Sequence, residues 1–325
     1  MRFLTHLLPL VLLTLLATPL SAAAPDRDHT IVPEDYFGLT SLGNLSVSPD
    51  GKQVAYTESR WGEGDAGRLR ELWLVGRDEG EPQRLTFGNF GASNPTWSAD
   101  SKALYFLGRD RAGRDTPPHD GSLQVWRVNP DGSNLLAVTR VDDGVGSFQL
   151  APDGKSLYYT VDVEETDEEW QELRERYSDL EYGHGVRNLT AVRHLDLVTW
   201  RDREVIAAQQ VIWQMALAPD GNHLGLITTT DNELIFKEGW SRVEIVDLAS
   251  GESTPVTDPA WRADHPSPYG WLENLAWSGD SQALAFSISY DGYASRIWAV
   301  TWQAGQWVRQ LVTRPEMVTF DGLTT

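Results

Sequence analysis

"LSVSPDGKQVAYTESRW", residues 45–61, places a four-residue turn between two runs of strand-forming residues. Proline at the second turn position presets φ, the serine and aspartate oxygens can hold the turn's backbone, and glycine suits the exit. The same grammar returns four more times. Ser98-Ala99-Asp100-Ser101 and Ala151-Pro152-Asp153-Gly154 come first, then Ala218-Pro219-Asp220-Gly221 and Ser278-Gly279-Asp280-Ser281. The aspartates are spaced by 50, 53, 67 and 60 residues. Each turn leads into a short run of strand-forming residues: "QVAYTES", "ALYFLG", "SLYYTV", "HLGLITT" and "ALAFSIS".

A second piece recurs downstream of each turn, as in "ELWLVGRDEGEPQRLT", "QVWRVNPDGSNLLAVT" and "RVEIVDLASGESTPVT". It reads as strand, polar turn and strand, and it often ends in Val-Thr or Leu-Thr. Together the two hairpins make four strands per unit. A four-stranded unit of about 45–60 residues repeated in phase is the signature of a β-propeller blade. An ordinary β-sandwich has no reason to write the same turn five times in register. Blades must stack to bury both faces, and the 14 tryptophans and 10 tyrosines supply bulky wedges for that purpose. The fold class is therefore all-β, a propeller of about five blades over residues 24–325.

The long third step has a cause in "EETDEEWQELRERYSDLEYGHGVRNLT". Trp170, Leu173 and Tyr177 fall at helical spacing, and Thr166 with Glu169 forms a capping box. The spacing predicts one inserted helix near 166–180, inside an insert spanning about 164–186. At the other end, "EMVTFDGLTT" aligns with the approach to a turn, and the next turn aspartate would fall near position 328. The expectation is a sixth blade that begins as the sequence stops, and a longer parent protein.

Residues 1–23 read as a secretory signal peptide. Arg2 is the basic start, Leu7–Leu16 the apolar stretch and Ser21-Ala22-Ala23 the cleavage site. The expected location is periplasmic or secreted, with no membrane attachment after cleavage. The chain contains no cysteine, which excludes lipidation of the leader, disulfides and thiolate chemistry. A formal net charge of −20 repels phosphate backbones, so nucleic acid is not an expected partner.

The sequence offers little catalytic apparatus. No Gly-x-Ser-x-Gly elbow occurs, and Ser241 in "GWSRV" leads into a strand, so it reads as structural. The seven histidines never fall at metal-ligand spacing, the Asp-Gly turns lack further oxygen ligands, and no cofactor is expected. Glu164, Glu165, Asp167, Glu168 and Glu169 form a dense negative cluster. It reads either as a solvated helix face or as a receptor for a cationic group. His184 sits in a Gly-flanked turn, and Asn44 and Asn188 match glycosylation sequons.

The leader, "SPDGKQVAY", "WRVNPDGSNLLAVT", "KEGWSRVEIVDL" and "SPYGWLENLAWSGD" together resemble the N-terminal propeller of the prolyl oligopeptidase family over residues 30–325. The likeness is to its exported bacterial dipeptidyl-peptidase and acylaminoacyl-peptidase branch. That resemblance implies a propeller gating short peptides toward a C-terminal α/β-hydrolase domain carrying a Ser-Asp-His triad. No triad residue can be carried onto this sequence, and hydrolysis is not expected of this chain by itself. The family's dipeptidyl peptidases hold the substrate's amino terminus with glutamates of a helical propeller insert. By that analogy Glu168 and Glu169 are the substrate-binding candidates, although the flanking sequence matches no residue-level motif. The alternative is a TolB-like periplasmic interaction propeller, since such propellers share the turns. Peptide specificity and oligomeric state are not legible.

Overall fold

The computed structural model describes residues 29–312, except 65–66, 79, 89, 112, 164–171, 174, 178–187, 230–240, 258–260, 262–266 and 268. The chain divides into two units, Met1–Leu39 and Thr40–Thr325. In the first, Pro33–Gly38 forms a short 3-10 helix. Asp35 holds it by accepting hydrogen bonds from Val32 N at 3.0 Å and His29 Nε2 at 2.9 Å.

Among its described residues, the second unit contains five antiparallel sheets of four strands, each a simple meander. The first sheet is β1 (Ser41–Val47), β2 (Gln53–Trp61), β3 (Arg68–Gly76) and β4 (Gln83–Arg84). The second is β5 (Ser93–Trp97), β6 (Leu104–Gly108), β7 (Gln124–Val128) and β8 (Leu136–Ala137). The third is β9 (Phe148–Leu150), β10 (Ser156–Val163), β11 (Leu189–Asp196) and β12 (Asp202–Ile206). The fourth is β13 (Val211–Leu217), β14 (His223–Thr229), β15 (Arg242–Asp247) and β16 (Ser253–Pro255). The fifth is β17 (Gly270–Trp277), β18 (Ala283–Tyr290), β19 (Tyr293–Gln303) and β20 (Gln306–Leu311). This is the expected blade plan.

Each recurrent turn joins the first two strands of its sheet. In the first, Ser48 Oγ donates to Asp50 Oδ1 at 2.7 Å and accepts from Gln53 N at 2.9 Å. Gly51 closes the turn in the left-handed region, at φ +68°. Serine repeats these bonds at Ser98 and Ser278. The hydroxyl, followed by the backbone N–H two residues on, holds the Asp50, Asp100 and Asp280 carboxyls below the usual range. A depressed folded-state carboxyl stabilises above the unfolded value of about 3.9 and loses that contribution as pH falls through the lower folded value. We expect Ser48→Ala/Ser98→Ala/Ser278→Ala to flatten the acid limb of a Tm-against-pH profile below about pH 4. A limb identical to that of the parent would refute this account of the turns.

Position four of the turn explains how sheets are joined. Ser101 and Ser281 replace glycine there, yet keep its left-handed backbone at φ +58° and +60°. Each serine reaches the preceding sheet: Asp50 N donates to Ser101 Oγ at 3.2 Å, and Asp220 N to Ser281 Oγ at 2.9 Å. The tryptophan just before each turn makes a second tie. Trp97 Nε1 donates to Ser46 O and Trp277 Nε1 to Ala216 O, both at 3.0 Å. A left-handed L-residue costs about 1–2 kcal/mol, so the hydroxyl contact must offset that strain. For Ser281 the expected order of Tm is Ser and Gly alike, with Ala lowest. Alanine keeps the strain and loses the bond. An alanine variant as stable as the glycine variant would show that no strain is stored there.

The frequent Val-Thr ending also has a job. Thr86, Thr139 and Thr257 accept from the N–H of Leu72, Val125 and Val243 at 2.9, 2.9 and 3.0 Å, pinning the end of the outer strand to the third. Between sheets the packing is apolar: Leu72 and Leu74 meet Phe90, Trp97 and Phe106 at the first junction. β6 is buried on both faces, because a neighbouring sheet covers each side. Leu42, Leu45 and Val47 on β1 are 62–73% exposed. Of the insert, Glu172, Leu173, Glu175 and Arg176 are helical, and Tyr177 N donates to Leu173 O at 2.9 Å. The remainder of the expected helix lies outside the described residues, as does the leader. Among the described residues no helix is long and apolar enough to cross a membrane.

Candidate functional site

In a four-stranded meander the first and third connections share one edge of the sheet. The second connection and the link to the next sheet share the other. The Ser-x-Asp turns therefore occupy one face, and the connections between second and third strands start and end on the opposite face. A cleft of about 460 Å³ opens on this loop face at the root of the 164–186 insert. It lies between the third and fourth sheets, lined by Ser147, Thr160, Asp162, Asn188, Thr190 and Trp213 among others.

The sheet register builds it. Asp162, near the end of β10, pairs with Thr190 at the start of β11, so the insert leaves and returns beside this pair. Thr190 N donates to Gln210 O at 2.9 Å, and its hydroxyl accepts from Ile212 N at 3.2 Å, which fixes the third sheet to the fourth. The same hydroxyl reaches Asp162 Oδ1 at 3.4 Å. Thr160 Oγ1 accepts from Ser147 N at 2.8 Å and lies 3.1 Å from Ser147 Oγ. Gly146 permits this approach, because a Cβ there would lie 2.8 Å from Thr160 Oγ1.

Asp162 has solvent access at its rim, but the cleft walls restrict its hydration and push its carboxyl above the usual range, against the opposing bond from Thr190. Its second oxygen has no partner among the described residues. Among the described residues the lining is thus rich in acceptors and carries no lysine, arginine or histidine. Such a site suits a compact cationic donor such as an ammonium group, and the Trp213 ring adds an aromatic wall. No nucleophile–base pair lies in it. The His119–Asp110 pair, 2.5 Å apart, belongs to the 109–123 connection. Among the described residues no group of three or more His, Asp or Glu is placed to hold a metal.

Glu168, Glu169 and His184 lie outside the described residues. Ser241 is 2% exposed, and its carbonyl accepts from Trp261 Nε1 at 2.9 Å, in keeping with a structural role. Asn44 occupies a bulge of β1 at φ +50° and donates to Thr57 Oγ1. Sequence reasoning missed Asp162, which directly follows the strand run "SLYYTV". The available signal was an acidic residue on a second strand at the point of insertion.

The fold is a β-propeller of four-stranded blades, with a cleft between its third and fourth sheets whose described lining is rich in acceptors. Its homologues are peptidases, as the sequence resemblance led us to expect. The chain is 25% identical over 299 residues to "Dipeptidyl-peptidase 5" of Porphyromonas endodontalis, covering 83% of this chain and 40% of that one. It is 24% identical over 259 residues to the "Uncharacterized peptidase YuxL" of Bacillus subtilis, covering 80% and 31%. The chain thus spans 40% or less of the length of these two relatives. A family model described as the Lipoprotein LpqB beta-propeller domain matches residues 25–162.

Solved structures agree on the fold. An oligogalacturonate lyase in complex with manganese superposes with a TM-score of 0.57 at 15% identity, covering 84% of this chain and 66% of that one. The Pyrococcus horikoshii acylaminoacyl peptidase gives 0.54 at 11%, covering 84% and 40%. TolB from Acinetobacter baumannii gives 0.51 at 15%, covering 83% and 54%.

Proposed function

We propose that this chain is the peptide-receiving, non-catalytic propeller of an exported serine peptidase. In this reading the cleft around Asp162, at the root of the acidic insert, captures the amino terminus of a short peptide. The observation that carries the reading is the acceptor-rich lining, without a basic side chain among the described residues, at the root of the insert. Homology with dipeptidyl-peptidase 5 over 83% of the chain supports the substrate class. Glu168 and Glu169 would extend the same negative field. The leader and the lipoprotein-type family model support an extracytoplasmic setting.

The test is a calorimetric titration with Ala-Phe-amide and its N-acetylated form. The free amine should bind and the acetylated form should not. Asp162→Asn should weaken the free amine about tenfold, or ~1.4 kcal/mol. Because the Asp162 carboxyl is raised, amine binding should fade with acidification at a pH above the ordinary aspartate value of about 3.9. A raised carboxyl disfavours the folded state at neutral pH, so Asp162→Asn should not lower Tm, which separates binding from folding. Equal binding of both peptides would remove amino-terminal capture and favour a TolB-like interaction module.

A further inference from the structure

A second cleft, of about 460 Å³, opens on the turn face between the second and third sheets. One of its walls breaks a backbone rule. The connection after β11 reads Asp196-Leu197-Val198-Thr199-Trp200, and the one after β15 reads Asp247-Leu248-Ala249-Ser250-Gly251. The two turns are built alike. Asp196 Oδ1 accepts from Val198 N and Thr199 N, and Asp247 Oδ1 from Ala249 N and Ser250 N. Trp200 N and Gly251 N each donate to the aspartate carbonyl at 2.8 Å. The last residue is left-handed in both, at φ +57° for Trp200 and +76° for Gly251.

Glycine is the unstrained choice at such a position, and the fourth sheet uses it. The third sheet instead holds a tryptophan that is 52% exposed, beside Val198 at 70%. Strain and exposed aromatic surface thus fall on one residue at the mouth of a cleft, where folding alone gives no return.

The rest of the lining is unusual for this protein. With a formal net charge of −20 and only four lysines, the chain places Lys102, Lys155 and Arg127 around this cleft, against Asp100 and Asp153. Lys102 Nζ lies 3.8 Å from Asp100. Arg127 is half-buried, and among the described residues it has no carboxylate partner. Its Nη2 reaches Asn129 Oδ1 at a long 3.5 Å. Burial raises the adjacent Tyr105 hydroxyl, and Arg127 opposes that rise.

We propose that this cleft binds a carboxylate carried next to a flat apolar group, with Arg127 pairing with the carboxylate and Trp200 covering the ring. A guanidinium fork matches a carboxylate in two places, and an exposed indole offers a stacking face. A peptide can present that chemistry at its C-terminus or in an acidic side chain. The site lies on the face opposite the Asp162 cleft and is independent of it.

Three probes separate the sources: Ac-Ala-Phe with a free carboxylate, Ac-Ala-Phe-amide, and Ac-Glu-Phe-amide. All lack a free amine. The complete 325-residue chain is titrated with each while tryptophan fluorescence is followed. Either acid should bind more tightly than the neutral amide by about tenfold or more, and the tighter acid identifies the source. Trp200→Gly, the residue the matching turn carries naturally, should weaken that acid about tenfold while Tm stays level or rises. Arg127→Gln should remove the preference for acid over amide. The proposal is overturned if no acid binds, if the amide binds as well as both acids, or if Trp200→Gly leaves affinity unchanged.

Discussion

Replacing Trp277 with alanine is expected to lower Tm by roughly 10 °C, the largest effect of any single change considered in this propeller. Trp277 is 3% exposed and belongs to the apolar cluster shared by the fourth and fifth sheets, with Ala218, Ile227 and Leu284. Its ring lies 5.9 Å from that of Trp307, edge-on at an interplanar angle of 67°. Gly225 on β14 leaves room for Leu284 and Trp277, because a Cβ there would meet Leu284 at 2.8 Å and Trp277 Nε1 at 3.4 Å. Truncation would open a cavity no neighbouring backbone can fill, a loss of about 3–5 kcal/mol. Trp277→Phe keeps most of the volume and removes the donor to Ala216 O, so it should cost about 1 kcal/mol. A small Tm change for the alanine variant would mean that the fifth sheet contributes little to the cooperative unit.

The second large effect is expected at Glu71, a carboxylate only 2% exposed on β3. It accepts from Arg84 Nη2 at 2.9 Å and from Thr86 Oγ1 at 2.5 Å, and Thr86 in turn receives Leu72 N. Glu71→Ala strands a half-buried guanidinium and a buried hydroxyl together. Breaking one side of such a pair costs about 3–5 kcal/mol, and the partial exposure of Arg84 puts this case at the lower end. The second sheet provides the internal control. There Gln124 stands in the same place, and its Oε1 accepts from Thr139 Oγ1 at 2.8 Å. Glu71→Gln should therefore retain the threonine latch and lose about 1 kcal/mol for the weakened arginine contact. If Glu71→Gln proved as damaging as Glu71→Ala in urea unfolding, the ion pair would dominate and the latch would be secondary.

Most of the fold was legible because the repeated turns are chemically self-contained. Ser48, Asp50 and Gly51 satisfy one another within a few residues, so local sequence suffices to recognise them. The Val-Thr endings were visible as a pattern, but their purpose was not. Thr86 acts on Leu72, 14 residues away, and only the strand register brings them together. Strict alternation was a poor guide to burial, since β6 is covered on both faces. At the candidate site the sequence singled out the acidic insert, whose Glu168 and Glu169 lie outside the described residues. Asp162 gained meaning only when the start of β13 closed the cleft from the adjacent sheet. Trp200 was equally silent, because a tryptophan after a polar turn looks ordinary until the turn is set beside the one ending at Gly251.

The tryptophan and serine ties at the sheet junctions carry a mechanical meaning. They rivet the first sheet to the second and the fourth to the fifth along the turn face. At the junctions on either side of the third sheet the matching residues are Leu150 with Gly154 and Leu217 with Gly221, which have neither an indole nor a hydroxyl to offer. The two unriveted seams thus flank the sheet that bears the insert. The third sheet lacks these ties along the turn face on both sides, and it is held to the fourth from the opposite edge, through Thr190.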